Sequence, residues 1–176
     1  IRPDLAVKSP IVVTGSAGTG SISLKEIGKS NTFTLIAQNL SDKSVTYKLN
    51  GTVMTDVLKN SNKTNSDNIR SRYLEDANVS FDLHQITIPA NSTKRVTVTL
   101  SLADSTLKNT FVEGYIYLTP TDSSVPTLNI PYNGFYGKWD EPNIIDTPNT
   151  TDVWTQSGVG TQLALKTGPF YFGYNQ

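Results

Sequence analysis

Apolar and polar residues alternate in short bursts along this chain. Val96, Val98, Leu100 and Leu102 alternate with Thr97, Thr99 and Ser101 over residues 94–102. A period of two places one face of a strand in a core and the other in water. The same alternation runs through Phe33, Leu35 and Ala37 within residues 32–40. It returns at Val45, Tyr47 and Leu49 and continues through Val53 toward Val57. A polar turn at residues 39–44 separates these two runs, which read as a hairpin. Shorter candidate strands lie at 10–13, 21–27, 79–83 and 85–88, with Pro89-Ala90-Asn91-Ser92 as a turn. Gly114-Tyr115-Ile116-Tyr117-Leu118 and Leu128-Asn129-Ile130-Pro131-Tyr132 flank the turn-rich spacer Pro120-Thr121-Asp122-Ser123-Ser124, a strand–turn–strand signal. Residues 103–109 predict a short helical turn. With no long amphipathic helix and no internal repeat, about seven or eight antiparallel strands predict an all-β sandwich.

Two stretches depart from that pattern. From Leu58 to Asn78 the chain reads Asn60-Ser61-Asn62-Lys63-Thr64-Asn65-Ser66-Asp67-Asn68 without apolar periodicity, which predicts a long exposed loop. After Asp146, residues 147–151 are rich in Pro, Asn and Thr, like a linker. The expected division is a sandwich over 1–146 and a C-terminal extension or linker over 147–176. The chain opens at Ile1 without a visible leader, so it is expected to be an excised or processed piece of a longer protein.

Composition narrows the class. The 15 basic and 15 acidic residues balance, which argues against a nucleic-acid face and against an anionic membrane surface. No run approaches the roughly 18–20 apolar residues of a membrane helix, so no membrane insertion is expected in this segment. There is no Cys, which excludes a disulfide, a thiolate zinc site and a Cys nucleophile. Abundant Thr (23) and Asn (15) suit many short strands joined by polar turns, as in an extracellular β-module.

Catalytic constellations are missing. His84 is the single imidazole, it sits at a strand junction, and no Gly-x-Ser-x-Gly element accompanies it, so no Ser-His-Asp triad is expected. Glu75-Asp76 and Asp140-Glu141 are adjacent pairs, which point to opposite faces of an extended chain and read as loop charges. Asn65-Ser66-Asp67-Asn68 lacks the spacing and the downstream bidentate Glu of a calcium loop. Gly18-Thr19-Gly20 lacks the lysine and helix of a phosphate loop and reads as a turn. No cofactor and no metal is expected. Asn-x-Ser/Thr sequons stand at Asn39, Asn50, Asn62, Asn78, Asn91 and Asn149, and there is no Arg-Gly-Asp. Aromatic residues gather toward the C-terminal third, suited to core or interdomain packing or to stacking on sugar rings.

The order Glu-Gly-Tyr-Ile-Tyr-Leu from Glu113, then Leu-Asn-Ile-Pro-Tyr-Asn-Gly-Phe-Tyr-Gly from Leu128 with Trp139 just beyond, is more distinctive than the alternation. Together with residues 87–102 it resembles the fibronectin-III-like domain that follows the catalytic domain of Gram-positive cell-envelope subtilisin-like serine proteases, of the lactocepin and streptococcal complement-peptidase type. The resemblance covers about residues 8–146. It implies a fibronectin-III-like or immunoglobulin-like sandwich in a secreted or cell-wall protein. It also implies a non-catalytic accessory module that stabilises the catalytic protease domain of the same polypeptide and helps position a large protein substrate. On this reading Phe135, Tyr136, Trp139 and Asp140 are the interface candidates. The rival reading is a surface adhesin or a carbohydrate-binding sandwich, whose mark would be a row of exposed aromatics on one sheet face.

Overall fold

A computed structural model of the chain describes residues 3–58, 69–106, 108–141, 161–165 and 168–172. The chain divides into two compact units, Ile1–Lys138 and Trp139–Gln176. The boundary expected near residue 146 lies outside the described residues. In the first unit a one-turn helix, α1 (Pro3–Ala6), leads into β1 (Ile11–Gly15), β2 (Ile22–Ile27), β3 (Ser30–Asn39), β4 (Val45–Gly51), β5 (Met54–Leu58) and β6 (Ile69–Tyr73). Then follow β7 (Asn78–Phe81), β8 (Gln85–Ile88), β9 (Thr93–Ser101), β10 (Thr110–Pro120) and β11 (Leu128–Tyr136). The second unit holds β12 (Thr161–Leu165) and β13 (Gly168–Phe172), an antiparallel pair.

The first unit is a β-sandwich. One sheet has the order β1-β3-β9-β7. The other has the order β2-β11-β10-β4-β8, with β5 pairing β10 and β6 pairing β5. Apolar alternation explains why the two sheets meet. The β3–β9 register sets Phe33 opposite Val98 and Leu35 opposite Val96, so their inner faces coincide. On β10, Val112, Ile116 and Leu118 point inward and are fully buried, as are Ile130 and Tyr132 on β11. Burying each such side chain is worth about 1.5–3 kcal/mol, and the faces of the two sheets close into one cluster. Phe33 of the smaller sheet meets Tyr132 of the larger, ring centroids 5.7 Å apart.

Among the described residues the first unit has eleven strands where the periodicity picks out about seven or eight. The surplus comes from β6, which lies where a loop is expected, and from β5, where the run that begins at Val45 breaks into a second strand. β2, expected at 21–27, runs parallel to β11 with a register shift between Asn133 and Gly134. That shift accommodates Lys25 in the left-handed region, φ 57°.

Two expectations are corrected. The runs at 32–40 and 45–51 do not form a hairpin: β3 pairs with β1 and β9, while β4 pairs with β10 and β8 in the opposite sheet. Alternation shows that each strand has one buried face; it does not distinguish a partner beside the strand from one across the sandwich. The buried Asn39 makes the crossover possible, because its amide donates to the carbonyls of Lys43, Ile88 and Pro89. The second correction concerns the segment from Leu58 to Asn78. It is not loop throughout, since β6 pairs with β5 from Met54↔Tyr73 to Leu58↔Ile69. Arg70, Ser71, Arg72 and Tyr73 are all exposed, so this edge strand is held by backbone bonds and shows no apolar period. Residues 59–68 lie outside the described residues. Where a short helical turn is expected at 103–109, the described residues hold a single turn, with Thr106 N–H donating to the Ala103 carbonyl, and no helix.

Candidate interaction surface

The four expected interface residues follow one another from the end of β11, and the fold separates them into two kinds. Phe135 is 8 % exposed and Tyr136 is 5 % exposed. Tyr136 belongs to the sandwich core. Phe135 faces its register partner Phe111 edge-on, with ring centroids 5.4 Å apart and 66° between planes. The chain then turns at Gly137, whose φ of 144° is open only to glycine. A Cβ there would come within 2.5 Å of Asn109 Oδ1. Asn109, itself at φ 59°, donates its N–H to the Tyr136 carbonyl at 2.7 Å. Beyond the turn, Trp139 is 53 % exposed and Asp140 is exposed. Trp139 and Asp140 therefore present surface, whereas Phe135 and Tyr136 are packed.

A second surface escapes the sequence reading. On β10 the residues between the buried ones, Phe111, Glu113, Tyr115 and Tyr117, face outward. Phe111 is 41 % and Tyr115 39 % exposed. The Tyr115 and Tyr117 rings lie 6.0 Å apart with 34° between planes. In sequence, Phe111 to Leu118 reads as one nearly continuous apolar run, so it does not reveal which aromatics point outward. The signal was present as Phe-x-Glu-x-Tyr-x-Tyr at a period of two.

The remaining candidates are dispersed. His84 is exposed, and its contribution to the fold is a carbonyl that accepts the Leu49 N–H. Glu75, Asp76, Asp140 and Glu141 are exposed. Gly18 lies in the turn between β1 and β2, where its N–H donates to the Gly15 carbonyl. The segment Asn65-Ser66-Asp67-Asn68 lies outside the described residues. The Asn39 sequon is buried and its amide is fully engaged, so its side chain is closed to modification in the folded state. Asp104 and Lys29 form an exposed ion pair, which raises the lysine pKa and lowers the carboxyl's. Asp122 is lowered by the backbone N–H of Ser124, which it accepts at 2.9 Å within the β10–β11 turn. Among the described residues no helix is long and apolar enough to cross a membrane.

The sandwich matches a known family model. Residues 22–133, from β2 to near the end of β11, fit the Fn3-like domain. The chain belongs to the Fn3-like domain family. Relatives of this Fn3-like domain extend the match over nearly all of it. It is 31% identical to a PIII-type proteinase of Lactococcus lactis subsp. cremoris (strain SK11) over 97% of the chain. It is 30% identical to a PII-type proteinase of Lacticaseibacillus paracasei, again over 97% of the chain. It spans only 9% of the length of either proteinase. Among solved structures, the PapD-like domain 7 of human CEP192 superposes with a TM-score of 0.51 at 12% identity, over 73% of this chain and 85% of that one. This last likeness concerns the fold alone.

Proposed function

We propose that this Fn3-like domain is a non-catalytic accessory module of a secreted or cell-wall-anchored subtilisin-like serine protease. In that role it stabilises the catalytic domain of the same polypeptide and helps position large protein substrates. The observation that carries the reading is the match of nearly the whole chain to a segment that makes up 9% of each proteinase. Two features support it. The one histidine has no nucleophile element beside it in the sequence, and the sandwich closes its own core. The subtilisin-like character and the position after the catalytic domain rest on the resemblance at residues 87–102 and 111–146.

On this reading the segment after Gly134 is the interdomain interface, which for neighbouring domains of one chain covers about 600–1,500 Å². Phe135 and Tyr136 give the turn its rigidity, and Trp139 and Asp140 supply the exposed groups that dock. The test compares the parent protease with and without this module, and with Trp139→Ala and Asp140→Ala. Melting temperature, cleavage of casein and cleavage of a short chromogenic peptide are followed. Deletion is expected to lower the melting temperature, or to lower casein cleavage more than peptide cleavage. Equal loss on both substrates at unchanged stability overturns the reading.

A further inference from the structure

A groove of about 440 Å³ crosses the larger sheet, at the lower end of the range for small-ligand sites. Its polar groups stand in one row. Ser23 and Asn133 are partners across β2 and β11, and Asn133 and Glu113 are partners across β11 and β10. The strand ladder therefore sets a hydroxyl, an amide and a carboxylate side by side across the strands, along the groove. Ser71 Oγ donates to Glu113 Oε1 at 3.2 Å and orients the carboxylate. Two residue pairs further along, on the same face, Tyr115 and its partner Pro131 form an apolar wall of the same groove. Tyr117 extends that wall along β10, its ring 6.0 Å from that of Tyr115.

This arrangement selects a ligand class. No Lys or Arg among the described residues lines the groove, and Glu113 would repel a phosphate or carboxylate. A wholly apolar ligand would desolvate Ser23, Asn133 and the Glu113 carboxylate without replacing their bonds to water, at about 1–3 kcal/mol for each group. A hexose meets both demands. Its C–H face packs on an aromatic ring, and its hydroxyls need donors and acceptors together, which an amide, a hydroxyl and a carboxylate supply. Two adjacent tyrosines allow stacking by consecutive sugar rings.

We propose that this groove binds a neutral hexose oligosaccharide, stacked on Tyr115 and Tyr117 and held by Glu113, Asn133 and Ser23. The proposal does not rest on the accessory reading and holds or fails without it. The test titrates the isotope-labelled 176-residue chain with maltohexaose, cellohexaose and chitohexaose, following amide shifts by NMR. Saturable shifts centred on Glu113, Tyr115, Tyr117 and Asn133 are expected with at least one probe. Tyr115→Ala is expected to weaken binding by about tenfold, the scale of one lost aromatic stacking contact. Val12→Ala, exposed on β1 of the opposite sheet, is expected to leave it unchanged. If Tyr115→Ala fails to fold, Asn133→Ala, at an exposed site, carries the same comparison. No saturable shift with any of the three probes overturns the proposal, and so does undiminished affinity in the folded variants. Shifts at these residues produced only by an added protease catalytic domain also overturn it and make the groove a protein-docking site.

Discussion

Tyr132 lies across Gly114, and each requires the other. The two are partners in the β10–β11 register, and a Cβ on Gly114 would come 2.6 Å from the Tyr132 phenol oxygen and 2.8 Å from Cζ. It would also collide with the Thr52 carbonyl. The absent side chain is what lets the phenol donate to that carbonyl at 2.7 Å, tying β11 to the β4–β5 connection. Gly114→Ala must move both the ring and the Thr52 backbone. Overpacking of this kind costs about 1–3 kcal/mol, with about 1 kcal/mol more if the hydrogen bond is lost. The expected result is a lower urea midpoint at unchanged slope. A wild-type midpoint would mean that the ring and the Thr52 carbonyl both yield freely.

The two fully buried tyrosines respond in opposite directions to the same substitution. Tyr132 has a partner for its hydroxyl, so Tyr132→Phe leaves the Thr52 carbonyl without that bond and is expected to cost about 1–2 kcal/mol. Tyr47 is 0% exposed, and its phenol oxygen has no hydrogen-bond partner among the described residues. Tyr47→Phe removes a desolvated hydroxyl and is expected to be neutral or to stabilise by up to about 1–3 kcal/mol. Urea unfolding of both variants decides the matter; destabilisation by Tyr47→Phe would reveal a partner for that hydroxyl.

Alkaline pH probes the same pair. Burial pushes the Tyr47 phenol up to about 12 and raises that of Tyr132 as well. A raised phenol pKa contributes stability that is fully present below the unfolded value of about 10 and is lost as pH rises through the folded value. Urea midpoints are therefore expected to hold to about pH 10 and then fall. For Tyr47, the rise from about 10 to about 12 corresponds to roughly 2–3 kcal/mol across that window. Tyr47→Phe should shallow the fall. An unchanged alkaline slope in that variant would rule out the Tyr47 contribution.

Asn39 binds the two sheets at the crossover. Its Nδ2 donates to the Lys43 carbonyl at 2.7 Å, to Ile88 at 3.0 Å and to Pro89 at 3.1 Å. Its Oδ1 accepts from Ser41 N–H at 3.0 Å and from Ser41 Oγ at 2.8 Å. Asn39→Ala is expected to cost about 2–3 kcal/mol, because buried carbonyls lose their donor. Asn39→Asp keeps the shape but faces those carbonyls with a carboxylate. Its pKa should rise on folding, so its stability relative to wild type should be higher at pH 4 than at pH 8. Thermal melts at both pH values, with Asn39→Ala as the pH-insensitive reference, test this. Equal melting of Asn39→Asp at the two pH values would mean that the carboxylate finds solvent.

The all-β class, β9, and the β10–β11 hairpin were legible in the sequence, because each depends on residues close in the chain. Val96, Val98 and Leu100 declare a buried face by their spacing, and the Pro-Thr-Asp-Ser-Ser segment brings two adjacent runs together. The local turn chemistry that distinguishes Gly137 was legible only as a glycine after two aromatics. Which members of Phe135-Tyr136-x-x-Trp139-Asp140 are packed and which are exposed was not legible at all.

Only the tertiary structure decided who neighbours whom. Side-chain alternation reports that a face is buried and is silent about what covers it, so β3 and β4 read as a hairpin and prove to belong to opposite sheets. An edge strand such as β6, exposed from Arg70 to Tyr73, leaves no periodic trace. A strand such as β10, apolar inside and aromatic outside, hides its solvent face in an unbroken run. The groove of Ser23, Asn133 and Glu113 exists because β2, distant in sequence, joins the β10–β11 hairpin in one register, and neither part encodes that register alone.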